Sequence, residues 1–252
     1  MATVLELSAP YENHLLPVLP AGDGVCPVCH TFVSGDWPRC YQCSQAIQLL
    51  PSTADALGFV ALAVKGEQLA RDLSVYKNSQ SLLARTRPRL GLAAVLWRWI
   101  EAHERCLATE ARTDDFQVVT TVPSTSGREH HPLDHVVGTM VQPTAERFRT
   151  LLRPRPGDTG DRGIRADRFE VIDGGGSGNS VLIIDDTFTT GSRAQSVAAA
   201  LKDSGAESVA ALCIGRHFGR QQDGYEYRQA ADAYYRRSRA LGWNWDRCCL
   251  SQ

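Results

Sequence analysis

VLIIDDTFTTGSRAQSVAAAL, residues 181–201, reads as a strand, a loop and a helix in that order. Val181–Ile184 are four consecutive aliphatics, the pattern of a strand buried on both faces. Asp185 and Asp186 follow at its carboxyl end, then a small-hydroxyl loop, Thr187-Phe188-Thr189-Thr190-Gly191, then a helix starting near Ser192. Open α/β sheets bind ligands outside the carboxyl ends of their strands. A loop of small residues exposes its N–H groups, Gly191 permits close approach, and the helix N-terminus favours a phosphate. Hydroxyls of Thr187, Thr189, Thr190 and Ser192 add donors. A carboxylate pair repels phosphate, so Asp185 and Asp186 are expected to accept from sugar hydroxyls or face a metal-bound part of the ligand. Phosphate at one end and a diol at the other describe a ribose 5-phosphate.

Outward from this stretch, apolar runs and helical periodicity alternate. GFVALAV (58–64), FQVVTTVP (116–123), RFEVI (168–172) and ESVAALCIG (207–215) read as strands. EQLARDLSVYK (67–77) has helical spacing, as do two patterns that end in LGLAAVLWRWIEAHERCL (90–107) and the stretch 132–152. Continuous apolar strands alternating with helices predict an α/β fold, a mostly parallel sheet with helices on both faces. GGGSGN (174–179) precedes a strand instead of following one, so it reads as a turn and not as a dinucleotide loop. Seven arginines between 147 and 168, interspersed with Pro and Gly, predict a long basic loop of the kind that closes over an anionic ligand.

Four of the eight cysteines occupy one window, Cys26-Pro-Val-Cys29 and Cys40-Tyr-Gln-Cys43. Two such pairs complete the tetrahedral thiolate set that zinc prefers, with room for a hairpin between the knuckles. A redox role fits less well, because redox pairs occur singly at a helix start within a βαβ unit. His30 is expected to be an exposed neighbour, Cys106 and Cys213 buried fillers, and Cys248 and Cys249 incidental. These readings divide the chain into an N-terminal tail (1–24), a zinc-ribbon-like module (25–48) and a larger domain (52–252) that includes a helical C-terminal tail.

Composition sets the bounds. Lys plus Arg (27) against Asp plus Glu (28) excludes a chain whose whole surface coats nucleic acid or an anionic membrane. The start, MATVLELSAPYENHLLP, lacks a secretory pattern, and no run reaches the ~18 apolar residues of a membrane span. A soluble, cytoplasmic protein without membrane insertion is expected, where thiols bind metal more readily than they form disulfides.

Residues 181–191 match position by position the signature of type I phosphoribosyltransferases: aliphatics, an acidic pair, a variable pair, two Thr-like residues and Gly. With a CxxC…CxxC module ahead of it, the chain resembles the ComF-like, amidophosphoribosyltransferase-like branch, associated in some bacteria with DNA uptake. Tyr76-Lys77, Val122-Pro123-Ser124, Ala200-Leu201-Lys202 and Ser204-Gly205-Ala206 support the resemblance, which covers about residues 25–218. It implies a 5-phosphoribosyl 1-pyrophosphate ligand carried with magnesium, and transfer of the phosphoribosyl group with loss of pyrophosphate. Asp185 and Asp186 would hold the ribose and stabilise developing positive charge; residues 187–192 would hold the 5-phosphate. Ser124, Thr125, Ser126, Arg128 and Lys77 would meet the pyrophosphate. The loop after the valine-proline strand end departs from the family's Arg-Gly-Phe-Asn run and reads GREHHPLDHVV. A non-catalytic sensor or scaffold is therefore the second reading. Protein or single-stranded DNA partners are the third, since Arg, Tyr and Trp interleave in YEYRQAADAYYRRSRALGWNW (225–245).

Overall fold

The computed structural model describes residues 2–124, 131–156, 163–172, 174, 176–219 and 225–250. In chain order its elements are α1 (Val4–Glu12), α2 (Tyr41–Leu49), β1 (Ala56–Val64), α3 (Gln68–Asn78), α4 (Leu82–Glu110) and β2 (Val118–Thr121). There follow α5 (Pro132–His135), a π-helical turn (Val136–Met140), α6 (Gln142–Ala145), β3 (Leu152–Pro154), β4 (Phe169–Val171), β5 (Ser180–Phe188), α7 (Ser192–Asp203), β6 (Ser208–Phe218) and α8 (Tyr225–Leu241).

Four strands form an all-parallel sheet in the order β1-β6-β5-β2. Alternation divides each strand between two cores, because successive side chains point to opposite faces. Val181, Ile183, Val209, Ala211 and Cys213 join α7, α8 and the cysteine window on one face. Leu182, Ile184, Ala210, Leu212 and Ile214 join α1, α3 and α4 on the other. The expected α/β class and two-faced burial are observed.

Several boundaries differ from expectation. RFEVI is not a strand of the main sheet: β4 pairs antiparallel with β3 in a separate ribbon. Helix does not persist to residue 152. Val141, extended at φ −96° and ψ 92°, ends the π-helical turn, and α6 beyond it stops at Ala145. The two helical patterns after α3 merge into one 29-residue helix, α4, capped by the Ser81 side chain and carrying Pro88 in its second turn. Pro88 removes the bond its position would make to Ala84 O, a cost the remaining turns of this long helix absorb.

The segment read as an N-terminal tail is part of the core. Thr3 and Glu6 form a capping box that starts α1. The helix lays Tyr11 on Gly91 of α4, where a Cβ would stand 2.3 Å from the ring, and the phenol donates to Asp72 of α3 at 2.9 Å. Leu15, Val18 and Leu19 are buried beyond it. At the other end, Tyr234 of α8 stacks on Phe218 with ring centroids 5.5 Å apart, so α8 covers one sheet face as an amphipathic helix. No described helix is long and apolar enough to cross a membrane.

Candidate functional site

The chain leaves β1 for α3 on one face of the sheet and leaves β5 for α7 on the other. A crevice opens where connections part in this way, at the carboxyl ends of the strands. A cleft of about 380 Å³ occupies it, lined by Lys77 of α3, Asp185 to Ser192, the first turn of α7 and His217 of β6. The acidic pair, the hydroxyl loop and Lys77 are thus brought together as the sequence anticipates. Gly191 initiates α7 with φ +79°, and a Cβ there would lie 2.2 Å from the Phe188 ring. Glycine is required for both reasons: the left-handed backbone and the ring beneath it. The N-cap, Gly191, has no side chain, and apart from the Ser192 amide, which donates to Thr190 Oγ1 at 3.4 Å, the first-turn amides and positive dipole end face the cleft.

The two carboxylates have separate environments. Asp186 is buried; it accepts from the Tyr76 hydroxyl at 2.8 Å and from Lys77 Nζ at 2.7 and 2.8 Å. Asp185 is partly exposed to the cleft, and its Oδ1 accepts from the Asp186 amide at 2.8 Å. Loss of hydration, reinforced by the Asp186 charge, pushes Asp185 up to about 7, against opposing pulls from Lys77, the Asp186 amide and His131. One carboxylate is therefore held in place by a hydroxyl and an ammonium, while burial raises the other toward neutrality. Lys77, expected to reach pyrophosphate, is held by Asp186 on the wall of the same cleft.

Ser124 lies just past β2, beyond Val122, whose amide donates to Ile184 O, so it shares the carboxyl edge with the acidic pair but does not line the cleft. Thr125, Ser126, Arg128 and His130 lie outside the described residues, as does Arg162. Among the described arginines of 147–168, none lines the cleft. Arg147 is bidentate to Glu104 at 2.6 and 3.0 Å, Arg153 pairs with Glu170, and Arg168 is buried. The expectation that these side chains cover the site is not met by the described ones; Arg147 pairs with α4 and Arg153 within the ribbon.

Cys26, Cys29, Cys40 and Cys43 converge, with all four sulfurs within 4.8 Å of one another and Cys29 Sγ 3.5 Å from Cys40 Sγ. Tetrahedral zinc at ~2.3 Å from each sulfur requires S–S separations of ~3.7 Å, so the set fits a structural metal. Hydrogen bonds from Cys29, Cys40 and Cys43 hold the Cys26 thiol well below its usual range. Between the pairs there is a turn instead of the expected hairpin, and the second pair begins α2, with Cys40 as its N-cap. His30 is not an exposed neighbour: it is buried with φ +53°, its Nδ1 lies 3.2 Å from Leu19 O, and its own carbonyl accepts from the Tyr234 hydroxyl at 2.7 Å.

Sequence reasoning missed Arg216, which joins the two sites. From β6 its Nε donates to Cys29 O at 3.0 Å and one terminal nitrogen contacts Cys29 Sγ at 3.4 Å. The other donates to Phe188 O at 3.1 Å and Thr189 O at 3.2 Å. The only signal was an arginine following directly on the apolar run SVAALCIG. A second cavity of about 610 Å³, with Phe32, Trp37, Tyr41 and Tyr227 among its walls, backs onto the loop and shares Thr189, Thr190 and His217 with the cleft. No protein-family model and no curated protein matches this chain.

Proposed function

We propose that the cleft binds a phosphorylated ribose, 5-phosphoribosyl 1-pyrophosphate above all, on a type I phosphoribosyltransferase fold of the ComF-like kind. The observation that carries this reading is one cleft with a glycine-led helix N-terminus at one wall and an acidic pair beside it. The first turn of α7 and the hydroxyls of Thr187, Thr189, Thr190 and Ser192 receive the 5-phosphate. Asp185 and Asp186 accept from the ribose hydroxyls, Asp186 already oriented by Tyr76 and Lys77. In a transfer reaction their charge stabilises the cationic ribosyl transition state as pyrophosphate leaves. Magnesium borne by the pyrophosphate oxygens supplies charge neutralisation.

The test is calorimetric titration and thermal shift of the full chain, comparing 5-phosphoribosyl 1-pyrophosphate with magnesium, ribose 5-phosphate, ribose and inorganic phosphate. A ligand at one hundred times its Kd adds about 2.7 kcal/mol, which raises Tm by roughly 5–10 °C for a chain of this size. Both phosphorylated riboses should do so, ribose alone should not, and Asp185→Asn with Asp186→Asn should abolish the shift. If no phosphorylated ribose binds, the reading is wrong. Pyrophosphate release with a panel of nucleobases and amines then divides transferase from sensor: binding without release assigns the sensor.

A further inference from the structure

A second group of metal-ligating side chains lies outside both sites. His103 and Cys106 stand three residues apart on α4, which places them on one helix face. Cys248 reaches them from the segment beyond α8, and the ligand atoms of the three lie within 4.8 Å of one another. Cys106, expected to be a buried filler, and Cys248 are each half-buried, and Cys106 Sγ stands 4.0 Å from the imidazole. Cys249, the neighbour of Cys248, points the other way, into the opposite core.

The orientation of His103 is the second observation. Its Nε2 lies 2.8 Å from the Trp245 carbonyl, which can only accept, so the ring proton sits on Nε2 and the Nδ1 lone pair faces the thiols. Cys106 Sγ is 4.0 Å from Nδ1, and Cys248 Sγ lies within 4.8 Å of the other two ligand atoms. A backbone carbonyl holding the outer nitrogen while the inner one faces soft donors is how metal-bound histidines are oriented. Trp245 is itself fixed: its indole N–H donates to Glu12 at 2.6 Å and Arg98 lies 3.8 Å over its ring.

We propose that His103 Nδ1, Cys106 Sγ and Cys248 Sγ form a second zinc site that clasps the C-terminal segment onto α4. Two sulfurs and one imidazole nitrogen make a set for zinc or a similarly thiophilic ion, with a fourth position left to water. Closing the ligands to tetrahedral separations of ~3.5–3.8 Å requires a contraction of about 1 Å, which the half-buried Cys248, on a non-helical segment, supplies. Both thiols deliver their protons to solvent when the ion binds.

The experiment is native mass spectrometry of the full chain loaded with zinc in reducing buffer, with cobalt substitution read by absorption. The wild type should hold two ions, and Cys106→Ser with Cys248→Ser should hold one, retaining the spectrum of a four-thiolate site and losing that of a two-sulfur, one-nitrogen site. His103→Gln should retain the second ion at least tenfold more weakly. A wild type that holds one ion, with the double variant also holding one and the same cobalt spectrum in both, overturns the proposal. So does a chain that closes Cys106 and Cys248 into a disulfide under these reducing conditions.

Discussion

Replacing Arg216 with methionine tests whether the thiolate cluster and the cleft are mechanically one unit. Arg216 is 5% exposed, and its guanidinium serves Cys29 O, Phe188 O, Thr189 O and His217 O as well as Cys29 Sγ. Methionine fills similar space without donors, so those carbonyls lose their arginine partner and Cys29 Sγ loses its buried guanidinium contact. Charge-assisted bonds carry about 1.5–3 kcal/mol each, but they are not additive within one side chain; removing one member of a buried charged network costs about 3–5 kcal/mol. With several acceptors stranded at once we expect ~4 kcal/mol, which lowers Tm by roughly 8–16 °C. Loss of a group that bonds to a ligand atom should weaken zinc by about 10–100-fold. Arg216→Lys should fall between, since one ammonium cannot span Cys29 and the Phe188 carbonyl with the geometry of a fork. Calorimetric melts and competition with a zinc-binding dye measure both effects. An R216M chain that melts within ~2 °C of wild type and holds zinc equally well would refute the reasoning.

Asp185 has its pKa raised in the folded chain, so it binds a proton more tightly folded than unfolded. Its contribution to stability is full below pH ~4 and is lost as pH rises toward 7. Asp185→Asn should therefore stabilise the unliganded chain by about 1–3 kcal/mol at pH 8 and far less at pH 5, after allowance for the cleft's water; equal shifts at both pH values would contradict this. Gly191→Ala should cost about 1–2 kcal/mol from the left-handed backbone alone, plus displacement of the Phe188 ring, read as a lower urea midpoint. Cys43→Ser should release the metal and lower Tm by roughly 10 °C in a single transition, because Cys26, Cys29 and Cys43 belong to the core shared with β5 and β6. Two separate transitions would mean that the cysteine window unfolds independently.

Where local pattern and tertiary demand coincide, the sequence was readable. Val181–Ile184 must be apolar on both faces of a central strand, and Gly191 must be glycine to turn over Phe188; each constraint leaves a local trace. The clustering of Asp185, Asp186 and Thr187–Ser192 was legible for the same reason. What escaped depends on partners distant in sequence. RFEVI has strand composition, yet its antiparallel partner is Leu152–Pro154 and not a strand of the main sheet, a choice its own residues do not reveal. His30 looks like a loop residue until Leu19 and Tyr234, about 200 residues apart, enclose it. Arg147 and Arg153 read as an anion-seeking charge run because their acidic partners, Glu104 and Glu170, lie 43 and 17 residues away.

The enclosure of the cysteine window by α8 bears on how the chain is made. The four thiols are all present once residue 43 has been synthesised, so they can capture an ion early. Their surroundings cannot be completed then: Arg216 supplies the cation beside Cys29, and Tyr234 bonds to His30 O and the Leu19 amide. Those side chains follow by about 170–190 residues, roughly 10–40 s later at ~5–20 residues per second. During that interval a loaded centre has its ligands but neither its buried cation nor its apolar cover. Chains arrested before β6 should therefore surrender zinc to a chelator far faster than released protein does.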